Sequence, residues 1–478
     1  MSGSTMTAPE SGVKVRMYRQ GLGDCFLLAF PTGPAPARPF YLLIDCGVLV
    51  GTPDASRRME EVAASLRDAT GGRIDLLVAT HQHWDHLSGF EQARQTFDEI
   101  EFGEVWVAWT EDPGNDLARR LRARRERTIQ ALHAAVRGFR SLGAAERAAA
   151  LAGIVGFFGE LGADGRPSRI QSALEYVLGR GHPPGYRKPG EALQLPGVAR
   201  ARVFVLGPPE DEKLLLRSNP SRRTPEVYEK RMALTAETAF LAAALGAAGD
   251  TDADFAELSQ PFEEVYRVDL KTAKQDKFFQ DHYFGVAGQA SEKAMAWRRI
   301  DEDWLGSSDA LALQLDSDTN NTSLALAIEL SPGGKVLLFP GDAQVGNWLS
   351  WDALSWPGPD GSAGAVTAAD LLRRTVLYKV GHHASHNATL RAQGLERMES
   401  PDLVAMIPVH ETFARESKGW DMPFGPLLDR LEEKTAGRVL RADSGLPSRP
   451  EGVSAEDWQA FRDRCAEDRL YVEVTIPG

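Results

Sequence analysis

Four side chains of the kind that bind metals fall within six positions of this chain, in the run His81-Gln82-His83-Trp84-Asp85-His86. The run follows directly on residues 74–79, an apolar segment that reads as a buried strand. Side chains two apart past a strand end point to one side, so His81 and His83 can share a target. Asp85 and His86 are adjacent and can face a second point nearby. Clustered histidines are costly to bury unless something binds them. Neutral imidazole with carboxylate suits zinc, with manganese or iron as alternatives. Two further segments fit the same site. Val336-Leu337-Leu338-Phe339-Pro340-Gly341-Asp342 is an apolar strand that delivers a carboxylate, and Asp342 can bridge two ions. Tyr378-Lys379-Val380-Gly381-His382-His383-Ala384-Ser385-His386 is a second strand ending in histidines, so six of the ten histidines sit at two strand ends.

The surrounding segments are short and apolar. Residues 13–18 and 25–30 read as strands joined by the turn Gly21-Leu22-Gly23-Asp24, which is no nucleotide-binding loop because no helix follows it. Residues 41–45, 74–79 and 104–109 are further strands. Residues 57–67 form a helix with Met59, Val62, Ala63 and Leu66 on one face. Runs too apolar for an exposed sheet face imply sheets covered by helices. Between 111 and 308 the character changes. An arginine-dense helix spans 117–138, further helices span 144–161, 172–178 and 224–248, and residues 203–206 form a lone buried strand. Strand rhythm resumes at 310–315 and continues at 323–330, 335–339, 375–380, 403–409 and 470–476. The boundaries that follow are a flexible tail at 1–12, the first part of a core at 13–109, a mostly helical insertion at 110–309 with one core strand near 203–206, and the second part of the core at 310–478.

The run His81-x-His83-x-Asp85-His86 matches the HxHxDH signature of the metallo-β-lactamase superfamily. Asp342 resembles its bridging aspartate, and His382 or His383 its last histidine. More narrowly, residues 21–28, 43–47, 320–323, 339–343, 379–385 and 427–443 resemble the hydrolase domain of the bacterial competence DNA-uptake channel protein and its soluble relatives. The resemblance implies an α/β fold, the αββα sandwich of the superfamily, carrying a large helical insertion. It also implies two metal ions, zinc above all, held by His81, His83, Asp85, His86, Asp342 and His382. The superfamily usually adds one more histidine before the bridging aspartate; the candidates here are His133, His182 and His282, none at a strand end. Competence-type domains often lack that ligand too. Met422 stands where relatives often carry histidine.

Two ions sharing a hydroxide provide a nucleophile at neutral pH by lowering the pKa of bound water from about 16 to about 7. Asp85 would orient or deprotonate that water. His383 or His386, whichever is not a ligand, would protonate the leaving group, with Lys379 as a further candidate and a solvent-facing strand-end lysine as its plainer role. Asp45 would orient a ligating histidine from behind. Asn320, Asn321 and Ser323 begin a strand, as turn residues or as a rim to the site. These residues suit a metal-dependent hydrolase, either a phosphodiesterase acting on a small-molecule or nucleic-acid substrate, or a hydrolase of esters, lactones or thioesters. A non-catalytic metal-binding regulator is the remaining alternative. Arg119, Arg120, Arg122, Arg124, Arg125 and Arg127 read as a solvated helix face or as an anion-binding wall. The net charge of −13 opposes non-specific attraction to nucleic acid and to anionic membranes. No apolar stretch approaches the roughly 20 residues of a membrane span. Three cysteines without a CxxC pair, and no apolar leader in residues 1–12, make a reducing cytoplasm the default expectation.

Overall fold

The computed structural model describes residues 5–33, 37–141, 145–159, 168–180, 183–198, 200–217, 268, 270–285, 308–358, 361–362 and 364–478. His182 and the helix expected over 224–248 lie outside them. The chain divides into two compact units. One combines Met1–Ala123, Gly156–Arg231 and Asp316–Gly478; the other combines Arg124–Val155 and Met232–Leu315.

The first unit is an αββα sandwich. Its larger sheet has eight strands in the order Cys465–Glu467, Tyr471–Ile476, Val13–Tyr18, Cys25–Phe30, Phe40–Cys46, Arg73–Ala79, Glu101–Ala108 and Gly185–Arg187. The second sheet has seven, in the order Val439–Arg441, Val404–Ile407, Thr375–Lys379, Val336–Phe339, Leu326–Glu329, Arg202–Val205 and Ala192–Gln194. Strand alternation explains why the runs are apolar throughout. Phe26, Leu28, Leu42 and Ile44 point between the sheets and meet Leu326, Ile328, Leu337 and Phe339 of the second sheet. Their neighbours Leu27, Ala29, Tyr41 and Leu43 point outward against Met59, Val62 and Leu66 of the helix Ala55–Thr70 and against Leu87 and Phe90 of Trp84–Gln92. A strand covered on both faces has no polar side to show.

The pairing collects the chemistry on one edge. Phe40–Cys46 and Arg73–Ala79 pair in parallel, as do Val336–Phe339 and Thr375–Lys379. Their C-terminal ends carry Asp45, the histidine run, Asp342 and Lys379. In α/β sheets that is the edge at which ligands gather. Cys25–Phe30 is antiparallel to Phe40–Cys46, so Asp24, just before it, arrives at the same edge.

Three local readings differ from the sequence expectation. Residues 310–315 are not a strand but part of the helix Ser308–Asn320. Leu311, Leu313 and Leu315 do alternate, yet Leu311, Ala312, Leu315, Asp316, Thr319 and Asn320 are buried while Leu313 is exposed, which is helical spacing. Asn320 accordingly ends that helix rather than opening a strand. Finally, the region expected to hold one core strand holds three: Gly185–Arg187 extends the larger sheet, and Ala192–Gln194 pairs with Arg202–Val205 in the second. Strands of three residues are too short to show a period of two.

The second unit, as far as described, is helical. It holds most of the helix Asp116–Ser141, the helix Ala145–Val155 and the short turns Leu270–Gln275 and Lys277–Phe279. No helix among the described residues is long and apolar enough to cross a membrane.

Candidate metal centre

Backbone approach brings the histidine run against the strand that carries Asp45. A Cβ on Gly47 would lie 2.4 Å from the carbonyl carbon of Asp85, so only glycine lets the chains close to this distance. Gly341, at φ +60°, does the same between the sheets: its Cβ would meet Ser323 and Thr80. Across that junction the Leu324 amide donates to the Thr80 carbonyl at 2.9 Å, and the Ser323 hydroxyl accepts from the Asp342 amide at 3.0 Å. Asn321 Oδ1 accepts from the Gln344 and Asn347 amides. Asn321 and Ser323 thus act through turn chemistry, fixing the loop that presents Asp342.

The imidazoles are held in defined tautomers. Asp45 accepts from the Thr80 amide at 2.8 Å, the Thr80 hydroxyl at 2.6 Å and His86 Nδ1 at 2.7 Å. Having donated to Asp45, the Thr80 hydroxyl accepts from His81 Nδ1 at 3.0 Å. His383 Nδ1 donates to the Pro408 carbonyl at 2.7 Å. The opposite nitrogens converge. His86 Nε2 is 3.1 Å from Asp342 Oδ2, His383 Nε2 is 2.9 Å from Asp85 Oδ2, and His81 Nε2 is 3.0 Å from His83 Nδ1. Ligand atoms around a tetrahedral zinc with bonds of about 2.0–2.1 Å stand ~3.4 Å apart, so each pair sits near the spacing at which one ion serves both. Asp85, His86, Asp342 and His383 present one ligand atom each, all within 4.8 Å of one another, and Asp24, Asp45 and His86 form a second such group behind them.

The electrostatics follow from burying this many charges together. Burial pulls the His86 pKa down, but Asp342, Asp24, Asp85 and Asp45 outweigh it and leave the group raised well above the ordinary imidazole value. Burial likewise opposes charge on His383, and the bond to Asp85 with the charge of Asp342 prevails, so it too is raised. His83 and His382 lack that surplus, and burial carries them down to about 3 and about 4. Burial works against ionised Asp342, yet Lys379, His86 and His382 hold it well below the usual carboxylate range. Asp316 has no such support: burial, Asp85 and Asp342 push it well upward.

Of the residues singled out in the sequence, His81, His83, Asp85, His86, Asp342 and His383 converge. His382 does not place its ring among the ligand atoms. Its amide donates to Asp342 Oδ1 at 2.9 Å while its Nδ1 meets the Ser385 hydroxyl. The physical reason is the strand exit: His382, His383 and Ala384 all have positive φ, at 45°, 53° and 64°, and this left-handed turn swings His383 back toward Asp85. His386 is half-buried beside the Phe424 ring, outside both groups. The Lys379 head is not in solvent. It is buried and donates to the Gly341 carbonyl at 2.8 Å, to Asp342 Oδ1 at 2.9 Å and to Asp24 Oδ2 at 2.5 Å, which uses its three protons within the protein. It therefore aims Asp342 rather than protonating a leaving group. In the second unit, His133 is largely buried, which with Arg137 pushes its pKa down to about 4, and His282 sits beside Phe278. Neither belongs to the two ligand groups.

Three features escaped the sequence reading. Asp24 closes a turn, yet an acid at the head of a fully apolar strand is a signal of its own. Asp316 follows residues that alternate like a strand but belong to a helix, which conceals it. Phe157 and Phe158 pack their rings 5.4 and 4.9 Å from His83, and Phe157 stacks on Trp420 at 5.0 Å and 11°.

Residues 40–147 match the family model of the metallo-beta-lactamase superfamily, whose members are mostly hydrolytic enzymes that bind metal ions. The matched span holds Asp45, Thr80 and the whole histidine run, while Asp342 and His383 join it through the geometry above. Among curated proteins, none matches this chain. The donor set fits the metal that the superfamily implies. Buried atoms of the two groups without a hydrogen-bond partner are Asp85 Oδ1 and Asp24 Oδ1. Native proteins rarely leave such atoms unpaired, and an ion is one of the explanations they call for.

Proposed function

We propose that this chain is a metal-dependent hydrolase that activates water at the edge shared by its two sheets. The observation that carries the reading is the convergence of Asp85, His86, Asp342 and His383 on one point, with outer hydrogen bonds that leave the inner atoms of both histidines free to ligate. Bound ions, zinc with manganese or iron as alternatives, supply Lewis acidity and make water acidic enough to attack near neutral pH. The protein's own part is orientation. His81 and His83 would form one ligand pair, and Asp85, His86, Asp342 and His383 a second group. Lys379 and the His382 amide hold Asp342 Oδ1, so that Oδ2 stays turned to His86. Asp85 Oδ1, buried and without a hydrogen-bond partner, would accept a proton from the attacking water.

A phosphodiester substrate, small-molecule or nucleic-acid, is supported by the resemblance to competence-type domains. The arginine helix adds less than its composition promised: Arg119 is turned onto Asp116 and the Pro113 carbonyl, and Arg122 onto the Asp112 carbonyl. A second reading, a carboxylic ester or lactone with a flat or apolar group, is favoured by the aromatic wall of Phe157, Phe158 and Trp420 beside His83. Turnover of bis-p-nitrophenyl phosphate, single- and double-stranded DNA, RNA and an aryl ester and lactone series by zinc- and manganese-loaded protein decides between them. Asp85→Ala should abolish whichever activity appears. Full activity in a folded, metal-loaded Asp85→Ala protein refutes the mechanism.

A further inference from the structure

The four converging histidines, His81, His83, His86 and His383, are not equally supported from behind. His81 Nδ1 is tied to the Thr80 hydroxyl, His86 Nδ1 to Asp45 and His383 Nδ1 to the Pro408 carbonyl. In each case the bond keeps a proton on Nδ1, so that Nε2 is the nitrogen left for a ligand. His83 is the remaining ring. Its Nδ1 faces His81 Nε2, and its Nε2 is buried without a hydrogen-bond partner. The carboxylate at 3.8 Å from that Nε2 is Asp316, whose Oδ1 is likewise buried and unpartnered. Asp316 Oδ2 is already held at 3.2 Å by Asn320 Nδ2, one helical turn further on.

We propose that Asp316 is the positioning residue of His83: it accepts the Nε2 proton and so makes Nδ1 the ligating atom of the first metal site. The assignment rests on the metal-dependent reading above and extends it to a residue on a helix that enters the fold from outside the matched family span. Geometry separates this role from direct ligation. The two nitrogens of an imidazole point in nearly opposite directions, so a carboxylate facing Nε2 lies on the far side of the ring from the His81–His83 pair. At 3.8 Å the contact is about 1 Å longer than a charge-assisted hydrogen bond. Closing that gap needs a small rotation of the Asp316 side chain about its anchor on Asn320. The pairing is the counterpart, at the first site, of what Asp45 does for His86 at the second. Ligating histidines generally donate their other nitrogen to such an acceptor, and losing the acceptor weakens metal binding about 10- to 100-fold.

The test uses full-length protein stripped of metal and titrated with zinc against a chromophoric chelator, with a cobalt(II) absorption spectrum as a second readout. Asp316→Ala should weaken one of two ions about 10- to 100-fold and alter the cobalt spectrum of that site, leaving the other ion as in wild type. Asp316→Asn keeps an oxygen that accepts from Nε2, its NH2 donates to the unpartnered Asn320 Oδ1 once that amide turns over, and it should recover most of the loss. In His83→Ala, adding Asp316→Ala should cost nothing further. Wild-type protein that binds two ions while Asp316→Ala binds both unchanged overturns this assignment alone. So does an Asp316→Asn protein as weak as Asp316→Ala, because a charge or a direct bond would then be at stake. Wild-type protein that takes up no ion overturns the metal reading as well, and circular dichroism of each variant separates these results from misfolding.

Discussion

Replacing Asp45 by asparagine isolates a tautomer effect at the metal centre with little else changed. Asp45 has φ 55°, a conformation asparagine tolerates better than most residues, so the backbone should survive. Its carboxylate serves three donors: the Thr80 amide through Oδ1, and the Thr80 hydroxyl and His86 Nδ1 through Oδ2. An amide has one oxygen. If that oxygen stays on the Thr80 amide, the new NH2 faces Thr80 Oγ1 and His86 Nδ1. The hydroxyl can rotate to accept, but His86 must shed the Nδ1 proton and carry it on Nε2, the nitrogen that faces Asp342 at 3.1 Å. An ion binding there must first restore the other tautomer and leave a buried donor against a donor, a penalty of about 1–3 kcal/mol. At 1.4 kcal/mol per decade, that is a loss of about 5- to 150-fold in affinity, in line with the effect of removing outer partners elsewhere. Chelator competition should show one ion weakened by this factor and the other, on His81 and His83, less affected. A folded Asp45→Asn protein with two wild-type affinities would refute the argument that Asp45 sets the His86 tautomer.

Loading metal should release protons: buried carboxylates raise the His86 pKa well above the ordinary imidazole value, and the bond to Asp85 raises that of His383, so an ion competes with protons these rings hold more tightly than free imidazole, and affinity should fall as pH falls. Calorimetric titration in two buffers of different ionisation heat measures the release, and an identical heat in both contradicts it. Lys379→Met should destabilise the metal-free protein by roughly 3–5 kcal/mol, because Asp24 and Asp342 lose the ammonium buried between them; an unchanged unfolding midpoint in denaturant would count against that pairing. Ala436→Gly should stabilise by about 0.5–1 kcal/mol, roughly 2 °C, since Ala436 follows the helix Gly425–Lys434 at φ 48°, where glycine is preferred; a lower melting temperature would show that its side-chain packing outweighs the strain.

What the sequence revealed and what it hid divide along a physical line. The histidine run was legible because its ligands are close in sequence, and strand alternation alone separates them into two directions. The sandwich was legible because strands covered on both faces are apolar throughout. Which of His382 and His383 turns its ring toward Asp85 was not, because three consecutive left-handed residues set it, and neither composition nor periodicity reports φ. Asp24 and Asp316 were missed for a different reason: each is a single acid whose meaning comes from residues hundreds of positions away. Their presence changes the charge balance. Asp24, Asp45, Asp85, Asp316 and Asp342 are five buried carboxylates, and Lys379 is the ammonium among them. With neutral histidines these six groups, among the described residues, carry a net charge of −4. Burial at this depth makes an uncompensated surplus untenable, and proteins answer it with protons or with metal. The raised pKa values of Asp24, Asp316, His86 and His383 are the first answer. Bound metal, as proposed above, would be the second.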